Sequence, residues 1–595
     1  MKRFLFLSLI LMGQGSLIAA PAAPPAIEWH EWSDTVFAQA KKENRFVLLD
    51  LEAVWCHWCH VMDAKTYSNP KVISLIGSRY IAVRVDQDSR PDLSNRYEDY
   101  GWPATVVFNA NGGEIVKRQG FIPPEQMSSM LQAIIDDPTP GPSVKAEAPL
   151  EYSRDALIPE AMARGLREKL DAGYDGKLGA WGGTHKFLDW DNVEYCMERA
   201  QAGDSQARKM AAQTLDAERQ LIDPVWGGVY QYSAEGDWKH PHFEKIMQMQ
   251  AENLRIYALA YAVWKNPAWL QAAGDIHRYL LDFLRSPDGA FYTSQDADLV
   301  PGSHSAAYFQ LDDAARRKLG VPRVDRHIYA RENGWFIEAL VQFYSATGEP
   351  QRLHEAEGAA AFILAERALP GGGFKHGAED GAPLCLGDTL YMGRAFLSLY
   401  EATGERQWLK NAEDAARFIG GSFSPKDEAG FNTAKAASQF ISPKPNFDEN
   451  VDLARFANLL FHYTDDARDR EIAARAMRFL VTPRVVAGRQ SYVGGLLLAG
   501  REFSTDPLHI TVVGPKEDPA ARGLFLAALE YPRVYKRLEW IDPKDLGGTP
   551  IAYPSLPQAA AFICTNTTCS PPIYKPEQIA LRIDKLAVKE FSAKQ

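Results

Sequence analysis

The chain has 595 residues, of which 46% are hydrophobic and 24% are charged. It is too long for a single hydrophobic core and too apolar to be disordered, so we expect at least two folded domains. The formal net charge is -11, and no Lys/Arg-rich run is present. Because nucleic-acid binding needs clustered positive charge, nucleic acid is excluded as the partner.

The N-terminus has the pattern of a secretory signal over residues 1–22. Two basic residues precede the apolar run 4–12, and small residues follow up to Ala22. The polar and Gly residues at 13–16 end the apolar run too early for a membrane span. We therefore expect an exported protein, periplasmic or secreted, with no stable membrane insertion after cleavage. The alternative is an anchor that is retained.

Residues 27–137 alternate between strand and helix patterns. The sequence predicts strands at 45–51, 81–86, 104–108 and 114–118, and helices after the first strand, from Asn69-Pro70 onward, and at 124–136. This order is that of the thioredoxin fold. The Pro-rich segment that follows cannot continue a helix or a strand, so residues 138–149 are predicted to be a linker.

Residues 150–490 are predicted to be helical with an internal repeat. The segment from Tyr344 realigns with the one from Tyr400, a weaker copy starts at Tyr261, and fainter ones lie near Tyr195 and Tyr463. Each copy ends one helix and begins another, so the repeating unit is a helical hairpin. About six hairpins predict a closed (α/α)6 toroid with a pocket formed by the loops at one end. An open solenoid is the alternative.

The remaining residues, 491–595, are predicted to form a small α/β cap. Strand-like segments lie at 508–513 and 535–541, with a helix between them and a further apolar run at 559–564. The predicted fold class is therefore multidomain, with an α/β thioredoxin domain, an all-α toroid and a small α/β C-terminal subdomain.

The cysteines fall into two local pairs and two singletons, which does not fit a disulfide scaffold. The pairs are Cys56 with Cys59 and Cys564 with Cys569, and the singletons are Cys196 and Cys385. In an oxidising compartment the local pairs are free to form disulfides. The role of the Cys564 pair, structural disulfide or exchange with Cys59, is left open by the sequence.

The motif Cys56-His57-Trp58-Cys59 predicts a redox-active dithiol at the start of a helix. The helix N-terminus stabilises the first thiolate, so Cys56 is the expected nucleophile and Cys59 the resolving thiol. Pro103 lies where a thioredoxin places a cis-proline loop, whose backbone pairs with a bound peptide. The predicted partner is a protein thiol or disulfide, and no cofactor is needed. The predicted catalytic group is Trp55, Cys56, His57, Cys59, His60 and Pro103.

Three other interpretations use the same residues. Cys56, Cys59 and His60 match the C-x-x-C-H pattern for covalent haem attachment, although no distal ligand is evident. Cys56, Cys59 and His60, with His57 as a further soft ligand, also suit zinc. The third interpretation is a purely structural disulfide.

Several motifs together resemble the spermatogenesis-associated protein 20 family. They are residues 56–62 (Cys-His-Trp-Cys-His-Val-Met), 83–86, 101–103, 241–245, 289–298 and 564–569. The resemblance implies a thioredoxin fold fused to a six-hairpin-glycosidase-like (α/α)6 barrel, and it implies architecture more than activity. The chain departs from the family pattern at 115–123, where it is closer to an ordinary thioredoxin. It departs again at 299–304, which puts family-wide chemistry in the helical domain in doubt. Trp55 in place of a small residue favours redox chemistry.

Aromatic residues beside glycines in the hairpin loops predict a saccharide site. The candidate binding residues are Trp181, His185, Lys186, Trp226, Tyr230, His242, Glu244, Lys245, Asp296 and Asp298. Glu244 with Asp296 would suit a glycosidase, which needs two carboxylates across the scissile bond. His242 with a second His would suit an epimerase. In the plainest interpretation Glu244 pairs with Lys245, Asp298 caps a helix, and the pocket only binds.

The sequence thus predicts an exported thiol-disulfide oxidoreductase joined to a barrel that binds or modifies a saccharide. One alternative is a carbohydrate-active enzyme whose thioredoxin-like domain is structural or metal-binding. The other is a non-catalytic, chaperone-like scaffold.

Overall fold

The structure is a computed structural model. It describes residues 26–98, 101–145, 149–378, 381–426, 428–436, 438–546, 553–554, 556–565 and 569–593. The predicted signal at 1–22 lies outside the described residues. Within the described part of the chain, no helix combines the length and the apolar character that a bilayer span requires.

The N-terminal domain is a five-stranded sheet with helices on both faces. Its strands are β1 (Trp29–His30), β2 (Phe46–Glu52), β3 (Tyr80–Asp86), β4 (Ala104–Phe108) and β5 (Glu114–Gln119). Its helices are α1 (Asp34–Glu43), α2 (His57–Met62), α3 (Pro70–Arg79), α4 (Pro91–Tyr97) and α5 (Pro124–Asp136). The spatial order is β1-β3-β2-β4-β5, with β2 parallel to β3 and antiparallel to β4. This confirms the thioredoxin arrangement.

The helix predicted from Asn69-Pro70 forms as α3. The Asn69 side chain accepts a hydrogen bond from the backbone N–H of Lys71 at 3.0 Å, and Pro70 occupies the first helical position. α3 and α5 cover one face of the sheet, whereas α1 and α4 cover the other. Burial on both faces explains why the central strand β2 is almost continuously apolar.

The toroid is a ring of six inner helices, each backed by an outer helix. The inner helices are α7 (Trp190–Gln201), α9 (Met247–Trp264), α13 (Ala330–Thr347), α15 (Leu386–Thr403), α17 (Phe447–Thr464) and α20 (Gly494–Ser504). The outer helices are α6 (Glu160–Ala172), α8 (Ser205–Glu218), α10 (Pro267–Tyr279), α14 (Pro350–Glu366), α16 (Arg406–Ser422) and α18 (Ala467–Leu480). Each inner helix packs on the next, and α20 packs on both α17 and α7. The ring is closed, so the solenoid alternative is wrong.

Short elements occupy the loops of the ring. The helices are α11 (Ala306–Phe309), α12 (Asp313–Leu319) and α19 (Pro483–Ala487). The strands are β6 (Tyr174–Asp175), β7 (Ala180–Trp181), β8 (Tyr232–Ser233), β9 (Pro241–His242), β10 (Lys245–Ile246), β11 (Ser294–Gln295) and β12 (Val324–Asp325). Strands β10, β11 and β12 form one small sheet that leads into α9 and α13.

The sequence repeat marks the turn between an inner helix and its outer partner. Gly348 ends α13 with φ 70° and Gly404 ends α15 with φ 67°, and their N–H groups bond the carbonyls of Tyr344 and Tyr400. Glycine adopts this left-handed conformation without a Cβ clash, which is why it recurs at this point of the repeat. Lys265 occupies the same position after α9.

The C-terminal part is a three-stranded sheet with two helices. It contains β13 (Leu508–Val513), α21 (Pro519–Glu530), β14 (Lys536–Ile541), β15 (Ala560–Cys564) and α22 (Glu577–Ala593), in the strand order β14-β13-β15. The predicted boundary at 490/491 falls before α20, and the structure corrects it because α20 closes the ring. Cys564 and Cys569 are joined by a disulfide at the end of β15.

The thioredoxin-like domain sits on the toroid at the end where the inner helices begin. Its residues contact the segments that precede or start α9, α13, α15 and α17. For example, the side chain of Asn95 in α4 donates to Glu449 in the first turn of α17 at 3.3 Å. The sequence placed the two domains next to each other along the chain but did not predict this contact.

Candidate functional site

The dithiol lies at the N-terminus of α2, as predicted. Cys56 is the N-cap residue, and its Sγ accepts a hydrogen bond from the backbone N–H of Cys59 at 3.2 Å. The two cysteines are joined by a disulfide. After reduction, the same N–H and the helix dipole stabilise a thiolate on Cys56. The arrangement is thus chemically suited to thiol-disulfide exchange.

Two tryptophans pack against the dithiol, and the second of them precedes a cis-proline. The Trp102–Pro103 peptide bond is cis, which confirms the predicted cis-proline loop. Trp55 and Trp102 pack in one apolar cluster with Cys56 and Cys59. This cluster fixes the position of both sulfur atoms relative to the sheet.

Trp55 is held by a chain of polar contacts that crosses into the toroid. Its indole N–H donates to the buried carboxylate of Asp88 at 2.7 Å. The backbone carbonyl of Asp88 lies 2.6 Å from Nε2 of His376, and the carboxylate of Asp388 lies 2.9 Å from Nδ1 of the same ring. Because both ring nitrogens face acceptors, His376 carries two N–H groups and is an imidazolium.

Asp298 of the toroid binds both histidines of the dithiol helix. Its carboxylate lies 2.8 Å from Nδ1 of His57 and 3.2 Å from Nδ1 of His60. The backbone N–H of Gly302 donates to it at 2.9 Å. Asp298 therefore joins the two domains. The plainest interpretation, in which Asp298 caps a helix, is wrong.

The loop that carries Asp298 covers the dithiol. The N–H of Ala297 donates to the carbonyl of Trp55 at 3.3 Å, immediately before Cys56. The side chain of Cys56 is 4% exposed and that of Cys59 is 3% exposed. Both sulfur atoms are therefore closed off from solvent while this loop is in place, although the neighbouring Trp58 is exposed.

Glu244 also approaches the start of α2. Its Oε1 accepts from the backbone N–H of His57 at 3.4 Å, whereas Oε2 is buried without a hydrogen-bond partner among the described residues. Oε2 lies 3.8 Å from Nδ1 of His242. Together with His57, Asp298 and His304, these side chains line a pocket of about 70 Å³ beside the dithiol.

The surroundings raise the pKa values of some ionisable groups at this interface and lower that of another. Burial raises the pKa of Asp296 to about 7, and the neighbouring Asp298 adds to the shift. Burial alone would also raise the pKa of Asp298, but hydrogen bonds from His57 and His60 outweigh it and lower this pKa to about 2. Burial alone would lower the pKa of His60, but Asp298 and Asp296 outweigh it and raise this pKa above 6.5. At neutral pH, Asp298 is thus the permanent anion of the interface.

The protein should lose thermal stability as the pH rises from 6 to 8. His60 and Asp296 have raised pKa values in the folded state, so their stabilisation is full below the unfolded pKa and is lost as the pH rises through the folded pKa. Asp298 stays ionised throughout this window. We expect the Tm to fall by about 2–4 °C.

Circular dichroism melts of His60→Gln should show a smaller fall in Tm over the same range. His354→Gln, which changes an exposed histidine on an outer helix, is the matched control and should retain the wild-type slope. An unchanged slope in His60→Gln would contradict the assignment of this pH dependence to the interface.

One group of side chains at the interface has the spacing of a metal site. Ligand atoms of His60, Asp296 and Asp298 all lie within 4.8 Å of one another. This set shares only His60 with the predicted zinc alternative of Cys56, Cys59 and His60, whose two sulfur atoms are bonded to each other here. His60 already hydrogen-bonds Asp298 at 3.2 Å, and its other ring nitrogen lies 3.7 Å from Asp296.

Most of the residues predicted to bind a saccharide lie away from the dithiol interface. Trp181, Trp226 and Tyr230 are buried in apolar clusters, where their faces are not available for stacking on a sugar. Lys186 is buried and donates to the carbonyl of Gly182 at 2.9 Å. His185 is exposed and packs on Tyr232.

The predicted pairing of Glu244 with Lys245 is also wrong. The ammonium group of Lys245 is fully buried and binds the carboxylate of Asp223 at 2.9 Å, which Arg316 contacts at 2.7 Å. Lys245 therefore belongs to a buried ionic cluster with Asp223 and Arg316. Glu244 contacts the start of α2 instead.

A second candidate site, the axial pocket, lies inside the ring where the inner helices begin. It has a volume of about 250 Å³. Its aromatic lining includes Trp190, Trp335, Tyr391 and Tyr492, and its acidic lining includes Asp189, Asp191, Glu252, Asp448 and Asp452. None of these residues was predicted to lie in a site. They stand in the first two turns of different inner helices or just before them, and they meet at the axis only when the ring closes.

Comparisons with known proteins agree with the resemblance that the motifs indicate. Residues 11–136 match a family model described as Thioredox_DsbH, protein of unknown function, DUF255. Spermatogenesis-associated protein 20 of Rattus norvegicus is 26% identical over 46% of this chain and 39% of its own length. The uncharacterized protein B0495.5 of Caenorhabditis elegans is 25% identical over 47% of this chain and 42% of its own length. The chain thus spans about two fifths of each of these relatives.

A solved structure, cellobiose 2-epimerase from Spirochaeta thermophila, aligns with 58% of this chain and 98% of its own length, with 14% identity and a TM-score of 0.43. The chain combines a thioredoxin-like N-terminal domain with a six-hairpin helical toroid, and it is similar to spermatogenesis-associated protein 20, as its motifs predict.

Proposed function

We propose that this chain is a thiol-disulfide oxidoreductase that uses Cys56 and Cys59. The observation that carries the proposal is the position of Cys56 as N-cap of α2, where its sulfur accepts the N–H of Cys59 and packs in one cluster with Trp55 and Trp102. An N–H donor at a helix N-terminus stabilises a thiolate, which makes Cys56 the nucleophile of the reduced pair.

In the proposed reaction, the Cys56 thiolate attacks one sulfur of a protein disulfide. A mixed disulfide forms, and the other substrate sulfur leaves as a thiolate that takes a proton from solvent. The Cys59 thiolate then attacks Sγ of Cys56, which releases the second substrate thiol and leaves the Cys56–Cys59 disulfide. A partner protein dithiol returns the pair to its reduced state, so the substrate disulfide is reduced and the partner dithiol is oxidised.

Because the loop that carries Asp298 covers the dithiol, the proposed reaction requires this loop to move. Asp298 holds His57 and His60, and Ala297 holds the backbone of Trp55. These contacts must open before a protein disulfide reaches Cys56, since this side chain is 4% exposed. We therefore expect the reaction with proteins to be slower than with small thiols.

We also propose that the chain is exported to the periplasm or secreted. The pattern at 1–22 supports this, and so does the second disulfide, Cys564–Cys569, because disulfides persist in oxidising compartments. For the toroid we propose saccharide binding in the axial pocket, supported by its combination of aromatic and carboxylate side chains. Glu244 and Asp296 are engaged at the dithiol interface and do not support a glycosidase centre in the ring.

The test is reduction of insulin disulfides by dithiothreitol, followed by turbidity, with the full chain and with Cys564→Ser/Cys569→Ser. Both proteins should accelerate the reaction, because the second pair lies in the C-terminal sheet and is separate from α2. A glutathione titration monitored by mass spectrometry should show one reversible two-electron couple at the Cys56–Cys59 peptide. A wild-type rate equal to that of dithiothreitol alone would refute the proposal.

A further inference from the structure

Two buried carboxylates stand side by side where the two domains meet. Lys245 of β10 pairs with Gln295 of β11 in an antiparallel ladder, so the next residues, Glu244 and Asp296, leave this ladder opposite each other. Opposite residues of a ladder lie on the same face with their Cβ atoms about 5 Å apart. Glu244 is 3% exposed and Asp296 is 2% exposed. Two carboxylates that are this close and shielded from water favour a cation between them.

Each of these carboxylates has an oxygen that accepts no hydrogen bond from the described residues. Oε2 of Glu244 is buried, and Nδ1 of His242 is 3.8 Å away from it. Oδ1 of Asp296 accepts from the backbone N–H of Asp298 at 2.9 Å, whereas Oδ2 faces Nε2 of His60 at 3.7 Å. The distances of 3.7 and 3.8 Å are too long for hydrogen bonds. Buried oxygens without a donor favour a bound group that satisfies them.

Asp298 orients His60 as a metal ligand. Nδ1 of His60 lies 3.2 Å from the Asp298 carboxylate, which leaves the lone pair of Nε2 directed at Asp296. A carboxylate that holds one nitrogen of a histidine commonly fixes the other nitrogen as a metal ligand. Two zinc ligands at the tetrahedral angle, each about 2.1 Å from the ion, are about 3.4 Å apart. The 3.7 Å between Nε2 of His60 and Oδ2 of Asp296 is close to this spacing.

We propose that the domain interface binds a divalent transition-metal cation of the zinc class. Its ligands are Nε2 of His60, Oδ2 of Asp296 and Oε2 of Glu244, and Asp298 is a positioning residue. A set of one imidazole and two carboxylates suits this class, whereas Mg²⁺ and Ca²⁺ prefer oxygen ligands alone.

The bound ion ties the dithiol helix α2 to the loop that covers it. A proton held between His60 and Asp296 leaves to solvent as the ion binds, since a metal ligand must be deprotonated. The inference goes beyond the proposed exchange reaction and does not depend on it, because Cys56 and Cys59 are not ligands and stay joined as a disulfide.

The test is zinc binding by the full chain in its disulfide form, with plasma emission spectrometry for the stoichiometry and competition with a chromophoric chelator for the affinity. We expect one zinc ion per chain, which an equal concentration of Mg²⁺ does not displace. His60→Gln and Asp296→Asn should each weaken zinc binding at least tenfold. His354→Gln, which changes an exposed histidine on the outer helix α14, is the matched control and should bind like wild type. A circular dichroism melt of each variant shows whether it is folded.

X-ray absorption spectroscopy of the zinc-loaded wild type makes the test independent of any variant. The nearest atoms should be nitrogen and oxygen at about 2.0–2.2 Å, and sulfur at about 2.3 Å would overturn the assignment. Zinc that fails to bind the wild type would overturn it as well. The same holds for an unchanged zinc affinity in either His60→Gln or Asp296→Asn.

Discussion

Replacing Cys56 with serine should reduce the rate of insulin reduction to that of dithiothreitol alone. A serine hydroxyl is not ionised near neutral pH and does not attack a disulfide, so both the thiolate and its stabilisation by the N–H of Cys59 are lost. The fold should be preserved, because serine is a good N-cap for α2. Turbidity measurements and a circular dichroism melt of the same sample separate loss of chemistry from loss of structure.

Cys59→Ser should give a different defect from Cys56→Ser. The first step remains and the second is blocked, so this variant should accumulate a mixed disulfide through Cys56 that non-reducing electrophoresis and mass spectrometry detect. Cys196→Ser is the matched control, since this free cysteine is buried in α7 and takes no part in exchange. If Cys56→Ser and Cys59→Ser both retained the wild-type rate, the pair would be a structural disulfide.

Much of the thioredoxin-like domain was predictable because its signals are local. The alternation of apolar residues in β3, the cap at Asn69 and the cis-proline at Pro103 each follow from a few neighbouring residues. The short strand β1 and the helices α1 and α4 were not predicted. β1 has two residues, and its pairing with β3 depends on a long-range contact that no local pattern encodes.

The candidate site was only half predictable, for the same physical reason. The dithiol and its histidines lie within five positions of the sequence, so their chemistry was visible. Their partners Asp298 and Glu244 lie about two hundred residues away, and they were chosen as sugar ligands on the basis of local composition. Asp88 and His376 were not assigned to the dithiol site, because an acid and a histidine in separate loops form no motif until the domains meet.

The axial pocket shows the same limit. Asp191 and Asp452 stand at the beginnings of two inner helices that are far apart in the sequence, and each would be read as an ordinary acidic residue near a helix N-terminus. The closed ring brings them to one cavity. Local composition instead favoured the Gly-rich aromatic loops, where Trp181 and Trp226 are core residues.

A buried ionic network ties the first inner helices of the ring to the last. Arg455 of α17 contacts Glu502 of α20 at 3.0 Å and also binds Glu194 of α7. The other oxygen of Glu194 lies 2.6 Å from Arg255 of α9. Burial alone would raise the pKa of Glu194, but the two arginines outweigh it and lower this pKa to about 2. Glu194 is therefore ionised with no access to water, and its charge depends on both arginines.

Arg455→Met should consequently lower the free energy of unfolding by about 3–5 kcal/mol. Methionine fills much of the space but leaves Glu502 without its guanidinium partner and Glu194 with only one, and an uncompensated buried charge is costly. Urea titration monitored by circular dichroism should show the loss, and Arg455→Met/Glu502→Gln should recover part of it. Arg468→Met, which breaks the exposed pair with Asp466 on α18, should cost less than about 1 kcal/mol. Equal costs for the two single Arg→Met variants would mean that the buried network does not hold the ring closed.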